Sequence, residues 1–260
     1  MVNCVSLVYF SATKTTRNNL RAMAEGIGLP VTEYDFTLPQ NRSTDITFGP
    51  DELVLAGAPV YGGVMPLLER EYLEQHVSGQ NTPCVVVAVY GNRAYDDCLV
   101  EIEDLMTEKG FAVIAAAACI GEHSLTSEIA TGRPDESDLA KSKAFGKQLA
   151  EKLQKGVSPL PKGTIPGNRP YRERGASNPM GPENVNGCTH CGLCVRNCPV
   201  GAIDAEDPGK VDASKCLRCL ACVRLCPIHS KQFTSDAYKG SVAWCLSTFK
   251  EPRKEPEFYL

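Results

Sequence analysis

Residues 5–27 read VSLVYFSATKTTRNNLRAMAEGI: an apolar run interrupted only by Ser6, a hydroxyl-rich turn, then apolar residues at helical spacing. An apolar run without polar alternation suits a strand buried on both faces of a parallel sheet, and a parallel neighbour is reached only through a crossover. The same unit recurs. LVLAGAPV at 53–60, VVVAVY at 85–90 and FAVIAAAACI at 111–120 are apolar runs, and residues 66–76, 96–109 and 137–155 follow them with helical spacing. With a weaker alternating strand at Val31, Tyr34 and Phe36, these predict an α/β domain over residues 1–156, five parallel strands with helices on both faces. Residues 38–51 hold Pro39, Gly49 and Pro50 and predict an irregular connection in place of a full crossover helix.

A chain of 260 residues leaves room for a second, smaller unit. A net charge of -4 with 22% charged residues points to neither nucleic acid nor membrane. The longest apolar run, at 111–120, falls well short of the roughly 20 residues of a membrane helix. With no basic leader before residue 5, the expected location is cytoplasmic.

Cysteine defines the second unit. Eight of the thirteen cysteines fall in two arrays. CTHCGLCVRNCP places Cys188, Cys191, Cys194 and Cys198 before Pro199, and CLRCLACVRLCP repeats it 28 positions later with Cys216, Cys219, Cys222 and Cys226 before Pro227. Three thiolates at two-residue gaps wrap one face of an iron-sulfur cubane, and a fourth after a longer gap is carried to the other cluster. Cluster one is therefore expected on Cys188, Cys191, Cys194 and Cys226, and cluster two on Cys216, Cys219, Cys222 and Cys198. Zinc typically takes two separated C-x2-C pairs, a pattern these compressed arrays do not follow.

Together with Ala202 and Ile203, the arrays resemble the two-cluster bacterial ferredoxins, which implies a small α+β ferredoxin-like domain at 184–232 with two 4Fe-4S clusters. Leu220 departs from the pattern where the first array has Gly192, a difference that bears on backbone packing and potential at cluster two. His190 is read as a non-ligand. Cys4, Cys84 and Cys119 are read as buried small hydrophobes, while Cys98, at a helix start, stays open.

Between the domains, residues 157–183 contain six prolines and four glycines with Lys162, Arg169, Arg172 and Arg174. This is a basic linker, either a solvated tether or a strap docked between the domains. Residues 233–260 form a C-terminal extension in which Tyr238, Val242, Cys245, Leu246 and Phe249 predict a helix.

Three turns follow predicted strands at one sheet edge, where open α/β sheets bind ligands. Ser11, Thr13, Lys14, Thr15 and Thr16 precede a helix whose unpaired N–H groups suit a phosphate. Pro59, Val60, Tyr61 and Gly62 end one strand, and Gly91, Asn92, Arg93 and Tyr95 end the next. The three loops together resemble those of flavodoxins, which implies a flavodoxin-like fold and FMN, with phosphate at the first loop and the isoalloxazine between the other two. Lys14 departs from the glycine of many flavodoxins. Asp96 and Asp97 are read as an N-cap and first-turn acid. His123, in the 121–134 loop, either bonds flavin or substrate or stands exposed.

The whole chain resembles the flavodoxin-ferredoxin fusion proteins, small cytoplasmic redox proteins known chiefly from anaerobes. The resemblance implies an electron-transfer flavo-iron-sulfur protein that relays electrons between clusters and FMN and serves a redox protein donor or acceptor. Two other readings stay open: a flavin-dependent reductase of a small molecule, and a redox sensor. No G-x-G-x-x-G follows a strand, so direct NAD(P)H oxidation is not indicated.

Overall fold

A computed structural model describes residues 2–175 and 178–260. The first part runs β1 (Cys4–Tyr9), α1 (Thr15–Ile27), β2 (Val31–Asp35), β3 (Ile46–Phe48), β4 (Glu52–Pro59), α2 (Leu67–His76), β5 (Val77–Gly79), β6 (Thr82–Tyr90), α3 (Cys98–Glu108), β7 (Phe111–Ile120) and α4 (Glu136–Lys155). In the main sheet β2, β1, β4, β6 and β7 lie side by side and parallel. Numbered among themselves these five strands have the order 2-1-3-4-5, that of a flavodoxin-like doubly wound sheet. Every residue of β6 is buried, as a central strand covered on both faces requires.

Each face has its own core. Val8, Phe10, Val54, Val86 and Ala116 pack on the side of α2 and α3, and Leu7, Leu20, Leu55, Val87 and Phe145 on the side of α1 and α4. The last two helices touch backbone to backbone: a Cβ on Gly26 would stand 3.0 Å from the Cα of Gly146. The irregular connection after β2 contains a single 3-10 turn, Pro39–Asn41, and β3, which pairs with β5.

Arg169 to Arg174 of the linker lie along α3 of the sheet domain, neither a free tether nor a strap between the domains. Arg169 bonds Asp104 at 2.8 Å and Glu103 at 2.8 Å, Tyr171 bonds Asp104, and Arg174 bonds Glu101. Asp97 caps α3 with its backbone only; its side chain accepts from the N–H groups of Asn168 and Arg172 instead. Burial pushes that carboxyl up, but these bonds outweigh it and hold it below its ordinary range.

The cysteine-rich unit is small and has little regular structure: β8 (Glu183–Asn184) pairs antiparallel with β9 (Lys231–Gln232), and α5 (Leu193–Arg196) and α6 (Ala221–Leu225) each follow a cysteine turn. The predicted tail helix is α7 (Asp236–Phe249), and its Tyr238 hydroxyl bonds the carbonyl of Leu125 in the 121–134 loop. Beyond it lies a sixth strand that the five-strand reading lacked. β10 (Glu257–Tyr259) pairs antiparallel with β7 and closes that free edge, and Phe258 stacks on Phe145 at 4.7 Å. Three residues are too few to show strand periodicity in sequence. Among the described residues, no helix is long and apolar enough to cross a membrane.

One ion pair ties the tail to the sheet domain. Arg133 and Asp138 bond in two places with side chains 2% and 0% exposed, and the same guanidinium donates to the carbonyl of Lys254 at 2.6 Å. Arg133→Leu leaves a buried carboxylate without its main cation and is expected to cost about 3–5 kcal/mol. A urea unfolding midpoint equal to that of the unchanged chain would refute this.

Candidate functional site

The turn between β1 and α1 is built around Ser11. Its N–H donates to Thr37 Oγ1 at 2.8 Å, and its hydroxyl accepts from the N–H of Arg17 at 3.2 Å. Lys14 sits at the helix N-cap in a left-handed conformation, φ 68°, with its side chain exposed. Thr16 is fully buried, and its Oγ1 has no partner; neither does the buried Nε of Arg17. Buried polar atoms normally find partners, so two orphans at one helix start mark a place shaped for an acceptor such as a phosphate oxygen.

Ser11, Thr13, Thr15 and Thr16 line a narrow cleft with Pro59, Val60 and Tyr61 from the turn after β4 and Gly91 from the turn after β6. Gly121, after β7, adjoins it. The loops approach closely here: a Cβ on Gly91 would stand 2.6 Å from the Cα of His123, and one on Gly121 would meet the Cβ of Thr15 at 2.8 Å. Gly62 turns with φ 66° and lies outside the cleft lining.

The rest of the loop after β6 is directed elsewhere. The Asn92 amide donates to the carbonyls of Phe249 and Pro252 and accepts from the N–H of Lys254. Arg93 pairs with Asp96 at 2.5 Å, and the Tyr95 hydroxyl meets Glu257 and Tyr259, each at 2.9 Å. Arg93 also meets the tail, its carbonyl accepting from Lys254 and its guanidinium lying over the Phe249 ring, so Asn92, Arg93 and Tyr95 all contact the tail; of the expected set from this loop, Gly91 alone lines the cleft. The sequence gives no sign of this, because the tail lies some 160 positions away.

His123 is buried, with its Nδ1 accepting from the N–H of Leu125 at 3.1 Å. Burial, and then the charges of Arg224 and Arg93, depress its pKa, so the ring is held neutral with its proton on Nε2. Cys84, Cys98 and Cys119 are buried, and desolvation raises each thiol, that of Cys119 to about 12. None is suited to thiolate chemistry.

The eight array cysteines gather into two sets. Cys198, Cys216, Cys219 and Cys222 line one cavity, and Cys188, Cys191, Cys194 and Cys226 line another. Sulfur accepts from backbone N–H in both: Ala202 to Cys198 at 3.3 Å, and Ser230 to Cys226 at 3.2 Å. No three His, Cys, Asp or Glu among the described residues gather as a single-ion site; the cysteines ring a space that suits a cubane. A family model for a 4Fe-4S dicluster domain matches residues 187–230.

The cysteine-rich unit is a 4Fe-4S dicluster domain. With the strand order already described, the chain joins a flavodoxin-like domain to this dicluster domain. Its chemistry is redox chemistry of the electron-transfer kind. No match was found among curated proteins. Among solved structures, the chain is similar to an archaeal flavodoxin at 17% identity and a TM-score of 0.43, over 58% of this chain and 99% of that one. It is similar to the two-electron reduced flavodoxin of Megasphaera elsdenii at 16% and 0.39, over 57% and 99%. A flavone reductase is similar at 9% and 0.43, over 60% and 66%.

The dicluster domain meets the flavodoxin-like domain on one side. Arg42, from the irregular connection, donates to the carbonyl of Pro199 at 2.8 Å, next to Cys198. Arg224, two residues past Cys222, donates to the carbonyl of His123 and pairs with Glu122, each at 2.9 Å. Burial raises the Tyr61 phenol well above its ordinary value. A second cavity, lined by Lys14, Arg17, Thr37, Asn197, Ala221 and Arg224, spans the junction and shares Ser11–Thr13 with the cleft. Sequence reading singled out neither Arg42 nor Glu122, since only the docked partner gives them meaning.

The composition of the two cavities yields a test of ligand crossing. Cys198→Ala is expected to damage the metal centre held by Cys216, Cys219 and Cys222 and to spare the one beside Cys191, as read by site-resolved paramagnetic spectroscopy. Loss confined to the Cys188, Cys191 and Cys194 centre would reverse the assignment.

Proposed function

We propose that the chain holds two 4Fe-4S clusters and one FMN, and that electrons pass between them within one chain in the service of a redox protein partner. When bound, the clusters supply one-electron transfer, and the flavin couples it to two-electron chemistry. The observation that carries the reading is the asymmetric junction: Ala221, which lines the cavity of Cys198, Cys216, Cys219 and Cys222, also lines a second cavity together with Ser11, Thr13 and Lys14 of the β1–α1 turn. The other cysteine cavity lies toward solvent, where Cys191, Val185 and Ile228 are exposed. Electrons therefore exchange with the partner at cluster one and with the flavin through cluster two. A cytoplasmic setting belongs to the same proposal.

The residues divide the work. Ser11, Thr13, Thr15, Thr16 and the first turn of α1 offer hydroxyl and N–H donors to the FMN phosphate, and Lys14 and Arg17 supply positive charge. Pro59, Val60, Tyr61 and Gly91 form the walls for the flavin ring and keep water from it. Arg42 and Arg224 hold the dicluster domain in register, and Glu122 balances Arg224.

Two measurements test this. Thr16→Val removes an unpartnered buried hydroxyl at nearly constant volume, so FMN affinity is expected to fall by about 1–3 kcal/mol while riboflavin affinity holds. Equal losses for both ligands would remove Thr16 from the phosphate site. The second mixes chains unable to bind FMN with chains unable to hold clusters. Flavin reduction by a cluster-reducing donor should be slower in the mixture and rise with concentration; a rate equal to that of the intact protein would rule out the intramolecular path.

A further inference from the structure

The two arrays trace one backbone path twice. His190 and Arg218, Gly192 and Leu220, and Gly201 and His229 stand 28 positions apart, and all six adopt left-handed conformations with φ between 52° and 72°. The bond from the N–H of Ala202 to Cys198 recurs as Ser230 to Cys226, and that from Arg196 to the Gly192 carbonyl as Arg224 to the Leu220 carbonyl. Backbone geometry is thus closely matched at the two sites. The side chains differ.

Cys191 is exposed, whereas its counterpart Cys219 is 8% exposed; Gly192 is half-buried, whereas Leu220 is 8% exposed and lines the Cys198, Cys216, Cys219 and Cys222 cavity. Glycine adopts the left-handed conformation without a steric penalty, and leucine does not. An unfavourable conformer held at the wall of a site is a reason to ask what the side chain does there. At Gly192 a Cβ would stand 2.6 Å from Nη1 of Arg196, so the first array lays a guanidinium over the position that a side chain would fill. In the second array Leu220 fills it. The matching arginine, Arg224, reaches instead to Glu122 and the carbonyl of His123.

We infer that Leu220 sets the two clusters apart in potential, holding cluster two below cluster one, and that it does so by sealing the second cavity and turning Arg224 outward into the domain junction. The inference rests on the proposed two-cluster reading. Adding one electron to an anionic cluster is disfavoured by an apolar wall and favoured by a nearby cation, so Leu220 and Arg196 act in opposite directions. Arg224, neutralised by Glu122, gives cluster two less of that compensation; Arg218 lines its cavity, and buried Lys231 lines that of cluster one.

The test is a redox titration of the full chain, followed by the paramagnetic signals of the reduced clusters, with iron and sulfide content measured in parallel. The unchanged protein is expected to show two midpoints separated by at least tenfold in electron affinity, about 59 mV for a one-electron couple. Leu220→Gly, which keeps the left-handed turn, should raise the lower midpoint and leave the higher in place. Arg196→Gln should lower the higher midpoint, narrowing the gap from the other side. Coincident midpoints in the unchanged protein, or a gap unmoved by Leu220→Gly with both clusters intact, would overturn the inference alone. Absence of cluster iron and sulfide from the unchanged protein would instead overturn the two-cluster reading and this inference with it.

Discussion

The arrangement depends on the reversal of strand order at β1. β2 lies on one side of β1 and β4 on the other, so the crossovers leave toward opposite faces and the turns after β1 and β4 part at the carboxyl edge of the sheet. That crevice is forced by topology before any side chain is chosen. The β1–α1 turn supplies donors at a helix start, the turn after β4 supplies Pro59 and Tyr61, and the close approaches at Gly91 and Gly121 draw the other two turns against them.

Long-range polar contacts then secure the pieces around this edge. The linker runs along α3 because Glu101, Glu103, Asp104 and Asp97 present carboxylates to Arg174, Arg169, Tyr171 and the N–H of Arg172. The tail is held by the Asn92 amide, by Arg133 and by pairing on β7. Several of these charges are half exposed and individually weak. The buried members, Arg133 with Asp138 and Glu101 with its arginines, matter more, since removing one partner strands a charge without water.

Duplication gives the dicluster domain two matched cysteine sets, and divergence gives them different surroundings. Identical spacing places four sulfurs around each cavity, while the neighbours of the two cavities differ: solvent at Cys191, protein at Cys219. One cavity is bordered by an exposed cysteine, and the other adjoins, through Ala221, the cavity at the β1–α1 turn.

The sequence by itself determined what depends on local pattern. Apolar runs gave four of the five parallel strands and a weaker alternation the fifth, helical spacing gave α1 to α4 and α7, and cysteine spacing gave the two sets of four that line one cavity each, since each depends on a short local pattern. The turn of Ser11, Thr13, Thr15 and Thr16 at a strand-to-helix junction was legible for the same reason. Tertiary structure alone decided what joins distant segments: Asn92 and Tyr95 turned to the tail, Arg42 to Pro199, Arg224 to Glu122, and the three-residue β10 on a free strand edge. A side chain in a turn has many partners within reach along the chain, and only the packing of remote elements selects one of them.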